Sequence, residues 1–370
     1  MTRLHSLYDE FGQSPWIDNI RRDWLNDGTL ADLVRQGVRG VTSNPSIFAK
    51  AFATSSAYDG LLAESDDRDA EAVFERLAVA DVRDACDVLG EVHDMSRAEF
   101  ASGTRRYCDG FVSLEVSPRL ARDAAATVES AKRLAREVGR ANLMIKIPAT
   151  REGLPAIREV LGAGINVNVT LIFSLERYDE VLSAWMDGLE LAREHGHDLS
   201  AIASVASFFV SRVDSAVDVL LPDGDPRRGT TANAQVAGAY IMNRQRLSSD
   251  RAAALLADGA QVQRPLWAST STKNPSYYDL LYVDAIAADE TVNTMPDATL
   301  AGVLNHGDFT TSRLLAREDC HEAAALLDEL PDSISLAAVT ERLEVDGVQA
   351  FVDSYEELLA TVSAKRESTK

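Results

Sequence analysis

The chain has 370 residues, 46% of them hydrophobic and 26% charged, a balance that supports a packed core and excludes global disorder. Against 37 basic residues stand 58 acidic ones, a net charge of -21 whose field repels nucleic acid and anionic membrane surfaces, so any phosphate site depends on its own arginine, lysine or helix N-terminus. The three cysteines, Cys86, Cys108 and Cys320, are odd in number and widely spaced, which argues against a disulfide framework or a zinc site, and the absence of a signal-like or membrane-length apolar stretch makes the expected location cytoplasmic.

In chain order, Trp16-Ile17-Asp18 reads as a short first strand and residues 38–42 as a second. The stretch 45–110 is too long for one helix and its loops, so extra helices are expected there, with the acidic residues 64–71 on the solvated surface. Residues 111–116 read as a strand. Ser117 and Pro118 then have N-cap and first-turn character, and Ala121, Ala124, Ala125, Val128, Ala131, Ala135 and Val138 follow at helical spacing to Gly139. Strands are expected at 143–147 and 165–173, separated by a helix that stops at Gly162-Ala163-Gly164. Ser174 caps the next helix, Leu175, Tyr178, Leu182, Trp185 and Leu189 form its inner stripe, and Gly196 ends it. Further strands follow at 201–209, 265–269 and 291–295, with more helices and a turn-rich surface segment at 222–231 filling 212–264. A last helix at about 348–362 carries Phe351, Tyr355, Leu358, Leu359 and Val362 on one side. Eight strand candidates alternating with helices predict an α/β fold, a (β/α)8 TIM barrel with extra helices and a C-terminal helix packed on the barrel. We read 1–370 as a single domain with helical insertions at about 45–110 and 212–264.

Active sites of such barrels lie at the C-terminal strand ends, where this chain gathers Asp18, Asn44, Glu115, Lys146, Asn168, Thr170, Ser207, Ser269 and Thr270. Lys146 lies in the apolar strand Leu143-Met144-Ile145-Lys146-Ile147-Pro148. An ordinary lysine, with a pKa of about 10.4, is neutral in only about one molecule in 2,500 at pH 7, and desolvation shifts the balance toward an amine able to attack a carbonyl. A structural ion pair with Glu115 is the competing reading. Asp18 and Glu115 suit the proton transfers of carbinolamine formation, dehydration and carbon–carbon cleavage, although Asp18 could equally cap a helix near Asn19. Asn44 and Asn168 suit substrate hydroxyls, with a plain Asn-Pro turn as the alternative for Asn44; Thr170 could position a water or simply favour a strand. Ser207, Arg212, Ser269 and Lys273 offer phosphate ligands, against an Arg212–Asp214 ion pair and an exposed Lys273.

Taken together, several motifs resemble the transaldolases in order and spacing along nearly the whole chain. They are Trp16-Ile17-Asp18, Gly40-Val41-Thr42-Ser43-Asn44-Pro45-Ser46-Ile47-Phe48, Val112-Ser113-Leu114-Glu115-Val116, Ile145-Lys146-Ile147-Pro148-Ala149-Thr150, Asn166-Val167-Asn168-Val169-Thr170-Leu171-Ile172-Phe173-Ser174 and the run from Ser207 to Arg212. The length and Trp267-Ala268-Ser269-Thr270 look like the longer bacterial branch of that family. The resemblance implies a transferase of the non-oxidative pentose phosphate pathway that moves a dihydroxyacetone unit from sedoheptulose 7-phosphate to glyceraldehyde 3-phosphate, with no metal and no organic cofactor. By the same carry-over, Lys146 forms the Schiff base and Asp18 handles the proton at the breaking bond; Glu115 acts with Thr170 and a water. Asn44 and Asn168 hold hydroxyls, and Ser207, Arg212 and Ser269 bind phosphate. Many transaldolases carry a second arginine where this chain has Ser271, so Lys273 is the candidate replacement. A Schiff-base aldolase that releases dihydroxyacetone, and a silent sugar-phosphate-binding barrel, stay open on the residues alone, as does the choice between monomer and homodimer.

Overall fold

Seven parallel strands carry the fold: β1 (Gln13–Ile17), β2 (Val112–Glu115), β3 (Leu143–Pro148), β4 (Val167–Ile172), β5 (Ser204–Phe209), β6 (Arg264–Ala268) and β7 (Thr291–Met295). Their spatial order is β1-β7-β6-β5-β4-β3-β2 in a computed structural model that describes residues 1–63, 69–310, 314–315 and 319–369. Nearly every strand residue is buried, as expected where helices cover one face of a parallel sheet and side chains fill the other.

The eighth expected strand, 38–42, shrinks to a single bridging residue, Val41, which pairs with Ile17 of β1 and Val112 of β2. Backbone bonds nevertheless run along both its sides: Arg39 and Thr42 N–H groups donate to Pro15 and Ile17, and Val41 N–H donates to Phe111 while Ser113 N–H donates to Val41. The short segment therefore joins the two edges and closes the ring. Gly40 permits this approach, because a Cβ there would fall 2.4 Å from ring carbons of Trp16.

Asp109 locks the closure at the N-terminal end of the strands. Its fully buried carboxylate accepts from Ser14 and Trp16 of β1, from Arg39 of the bridging segment at 3.0 Å, and from Arg264 of β6 at 3.3 Å. Burial alone would raise the pKa of this acid, yet Arg264 and Arg39 outweigh it and hold the carboxyl below its ordinary value.

The helices differ from the sequence reading in ways that have local causes. The helix expected to open at Ser117 starts at Ala124 instead, because Ser117 makes no capping bond while Asp123 accepts from the Ala126 N–H; a 3-10 turn, Pro118–Leu120, fills the gap. Gly139 ends that helix in the left-handed conformation. Ser174 caps Leu175–Glu194 as read, with Gly196 just beyond its C-terminal cap. The helices Pro45–Thr54, Asp59–Ala63, Ala70–Val88 and Gly90–Ala101 occupy the first long stretch, and Ser211–Asp218, Thr231–Leu247 and Asp250–Ala257 the second. Of the acidic stretch 64–71, residues 64–68 lie outside the described residues, while Asp69 caps Ala70–Val88.

The C-terminal helix, Leu336–Thr369, begins twelve residues before the expected 348 and crosses the C-terminal end of the strands. Gly347 lies in its interior and packs closely on the barrel: a Cβ there would lie 3.3 Å from Leu171 and Phe173. Beyond it Phe351, Tyr355, Leu358 and Val362 are buried as one stripe. No helix among the described residues is long and apolar enough to cross a membrane. Replacing Asp109 by alanine strands two guanidinium groups, so Asp109→Ala is expected to cost about 3–5 kcal/mol in denaturant unfolding; a loss under about 1 kcal/mol would mean the closure does not rest on this carboxylate.

Candidate active site

Strand register brings the first functional layer together. Glu115 of β2 pairs with Lys146 of β3, and Lys146 pairs with Asn168 of β4. Lys146 keeps only 6% of its side chain exposed, donates from Nζ to the Ser43 carbonyl at 3.1 Å, and lies 4.0 Å from a Glu115 carboxylate oxygen. That separation is a charge contact, not a tight ion pair. Both Glu115 oxygens are buried and find no hydrogen-bond partner among the described residues, so burial drives its pKa up to about 7, a rise that Lys146 opposes and Asp18 reinforces.

Asp18 follows β1 and caps no helix, since the next one, Arg22–Asp27, opens at Arg21 without a side-chain cap. Its carboxylate accepts from Thr42 Oγ1 at 2.6 Å, and the Thr42 hydroxyl lies 2.6 Å from that of Thr294. Burial raises its pKa, while Lys146 and the Thr42 bond pull the other way. Burial therefore acts in the same direction on both acids, raising each carboxyl above its ordinary range beside one lysine.

A cavity of about 480 Å³ opens above this layer, bordered by Asp18, Asn44, Lys146, Thr170, Ser207, Arg212, Ser269 and Lys273 among others. Glu115 and Asn168 stand behind its wall. Asn168 donates to Ser113 Oγ at 3.0 Å and accepts from Ser207 Oγ at 2.7 Å, so its amide links two side chains of the barrel interior. Asn44 accepts from the Ile47 N–H at 3.0 Å and caps Pro45–Thr54, so Asn44-Pro45-Ser46 opens a helix and is not a plain turn, and the residue also borders the cavity. Thr170 follows the start of a register shift in β4, where Leu171 takes a left-handed φ of 60°, and its hydroxyl is buried without a partner.

On the opposite side, Arg212 stacks 5.3 Å from the Phe209 ring, and burial is the one influence on its pKa, which it lowers. Asp214 is no partner for it: that carboxylate accepts from the Tyr282 hydroxyl and the Ala232 N–H, each at 2.7 Å. Lys273 sits at the rim, more open than Arg212, and donates to Ser271 Oγ; partial desolvation at the cavity wall, and then the positive charge of Arg212, lower its pKa. Ser269, in the left-handed region at φ 56°, places its hydroxyl 3.0 Å from that of Ser211. Two cations that repel one another at one wall make a place for an anion.

The sequence reading missed the Ser43 carbonyl, Thr42 and Thr294 around the acids, and Arg21, Lys50 and Asp297 at the rim. It also took Phe351 as core only, although the ring borders the cavity with its centroid 5.7 Å from Lys146 Nζ. Thr42 lies within the motif around Asn44 and could have been found there; nothing local marks Phe351.

A buried lysine flanked by two acids, at the C-terminal mouth of a parallel barrel, defines a class of enzyme that attacks carbonyls with an amine. The family model for Transaldolase/Fructose-6-phosphate aldolase matches residues 15–362, and the chain belongs to that family. A transaldolase of Frankia alni is 48% identical over 361 residues, covering 95% of this chain and 94% of that protein. Those of Thermobifida fusca (48% identical, 97% of each chain) and Saccharopolyspora erythraea (45% identical, 100% of this chain and 99% of that one) are similar over their full length.

With a folded pKa of about 7 against an ordinary 4.5, Glu115 makes the folded chain hold more protons than the unfolded one between those pH values, so this group lowers stability as pH rises through them. Relative to wild type, Glu115→Gln should therefore gain on the order of 1–3 kcal/mol between pH 4.5 and pH 7.5 in denaturant unfolding; a difference that stays flat with pH contradicts it.

Proposed function

We propose that this chain is a transaldolase that carries a dihydroxyacetone unit from sedoheptulose 7-phosphate to glyceraldehyde 3-phosphate, giving erythrose 4-phosphate and fructose 6-phosphate. The observation that carries the reading is Lys146, buried at the cavity floor with Glu115 at 4.0 Å.

The amine attacks the ketone carbon and the carbinolamine loses water to give an iminium. Glu115, with Thr170 and a water, moves the protons of these steps; its pKa of about 7 suits a group that both gives and takes a proton near neutrality. Asp18, bordering the cavity beyond Lys146, accepts the hydroxyl proton as the carbon–carbon bond breaks, and the bond's electron pair passes to the iminium to leave an enamine. That carbon then attacks the acceptor aldehyde, the new alkoxide takes the proton, and hydrolysis frees Lys146. Asn44 has its amide oxygen committed to capping, which leaves its amide nitrogen for a dihydroxyacetone hydroxyl. Asn168 acts through Ser207, a residue that lines the cavity and donates its hydroxyl to the Asn168 amide oxygen. Arg212, Ser269 and Lys273 bind the phosphate, with Lys273 providing the charge that Ser271 lacks, while Ser207, expected among the phosphate ligands, has its hydroxyl hydrogen-bonded to Asn168 instead. A cytoplasmic setting fits three buried free cysteines.

Borohydride added with fructose 6-phosphate should fix a dihydroxyacetone adduct on Lys146, located by mass spectrometry; an adduct elsewhere, or none, refutes the mechanism. Lys146→Ala should lose at least about 10⁴-fold in kcat, the scale of removing a nucleophile, with its circular-dichroism spectrum kept. For the phosphate, Arg212→Ala is expected to raise KM about 10- to 100-fold and Lys273→Ala about two- to fivefold, as their burial and exposure dictate. Equal effects of the two substitutions would reverse the assignment of the main anion ligand.

A further inference from the structure

The C-terminal helix Leu336–Thr369 brings one side chain to the reactive layer, and it is apolar. Phe351 is 5% exposed, borders the cavity, and stands with its ring centroid 5.7 Å from Lys146 Nζ. The helix is pinned on both sides of this ring. One turn earlier Gly347 lies against Leu171 and Phe173 at a distance that leaves no room for a larger residue without movement. Just beyond, Ser46 donates to Ser354 Oγ at 2.9 Å, Tyr355 donates to Glu71 at 2.9 Å, and Glu356 pairs with Arg119. Anchors of this kind hold a ring in place where packing alone would leave it free to rotate away.

We infer that Phe351 decides between transfer and release of the three-carbon unit, by keeping bulk water from the carbon next to the Lys146 imine; the inference rests on the Schiff base proposed above. Once the donor's carbon–carbon bond has broken, the enamine carbon has two fates. In transfer it bonds to the acceptor's carbonyl carbon, that carbonyl oxygen becomes a hydroxyl by taking a proton, and hydrolysis of the resulting imine releases the new ketose. In release the same carbon takes a proton from solvent, water adds to the imine carbon, the carbon–nitrogen bond breaks, and free dihydroxyacetone leaves with the lysine restored. Both routes end in hydrolysis of an imine, so they part at the enamine carbon, where a solvent proton competes with an aldehyde. An apolar ring over the amine excludes the solvent proton and leaves the space for a bound aldehyde, which its phosphate holds through Arg212. Phe351 is in this sense a specificity-determining residue and takes no part in proton transfer.

The test is the partition: free dihydroxyacetone formed per fructose 6-phosphate consumed, with saturating erythrose 4-phosphate as acceptor, in wild type and in Phe351→Leu, Phe351→Val and Phe351→Ala. The ratio is expected to rise with each loss of volume, least for Phe351→Leu and by about tenfold for alanine, which corresponds to ~1.4 kcal/mol between the two barriers. The graded series keeps the trend readable if the smallest side chain fails to fold. If both rates fall together and the ratio stays constant in every variant that folds, the ring only packs and the inference is wrong. Borohydride trapping of the wild type runs beside it: an adduct on Lys146 with an unchanged ratio sinks the role of Phe351 alone, whereas no adduct sinks the Schiff base and this inference with it.

Discussion

One carboxylate, Asp109, reaches β1, the bridging segment and β6 at once, and the ring of strands closes around it. A parallel barrel whose eighth strand is a single residue has little ladder to spare at that seam, and the charge network supplies what the backbone does not. Four donors satisfy the acid, which is why a fully buried ion can be tolerated there at all. Everything at the other end follows from the seam holding: with β1 and β2 fixed to either side of Val41, Asp18 and Glu115 arrive at neighbouring positions around Lys146.

The two ends of the barrel treat charge in opposite ways. At the N-terminal end every oxygen of Asp109 has a donor and the acid is pushed toward ionisation. At the C-terminal end, among the described residues, Glu115 has no donor, Thr170 no partner, and Lys146 meets a carboxylate only at 4.0 Å. Polar groups left unsatisfied inside a protein are costly, and they accumulate where chemistry needs them. The acidic chain as a whole repels a sugar phosphate, yet Arg212 borders the cavity and forms no ion pair with a carboxylate among the described residues. The local arrangement therefore overrides the global field over the few ångströms that matter.

Much of this was legible beforehand, because its signals are local. The strands carrying Glu115, Lys146, Asn168 and Ser207 announced themselves as short apolar runs, and Ser174 and Gly139 marked helix ends through chemistry that acts within a few residues. What escaped depends on partners distant in sequence. Val41 forms a bridge and not a full strand because the seam is set by Trp16 and Asp109. Asp123 outcompetes Ser117 as a cap, a contest that spacing alone does not decide. The C-terminal helix begins well before its obvious stripe because Leu336, Val339 and Leu343 find partial cover on the barrel and Gly347 is used for close packing. Phe351 looked like any core aromatic, since its meaning comes from which strand end it lands on.

That landing has a consequence for how the enzyme is made. Lys146 leaves the ribosome long before Phe351 does, and the closing strand β7 also lies between them. A growing chain thus carries the amine with neither a finished ring nor an aromatic roof above it. The roof arrives last, when the final helix settles, so unfinished or clipped chains hold an amine open to solvent, and what they lose is its shelter and not only some of the fold's stability.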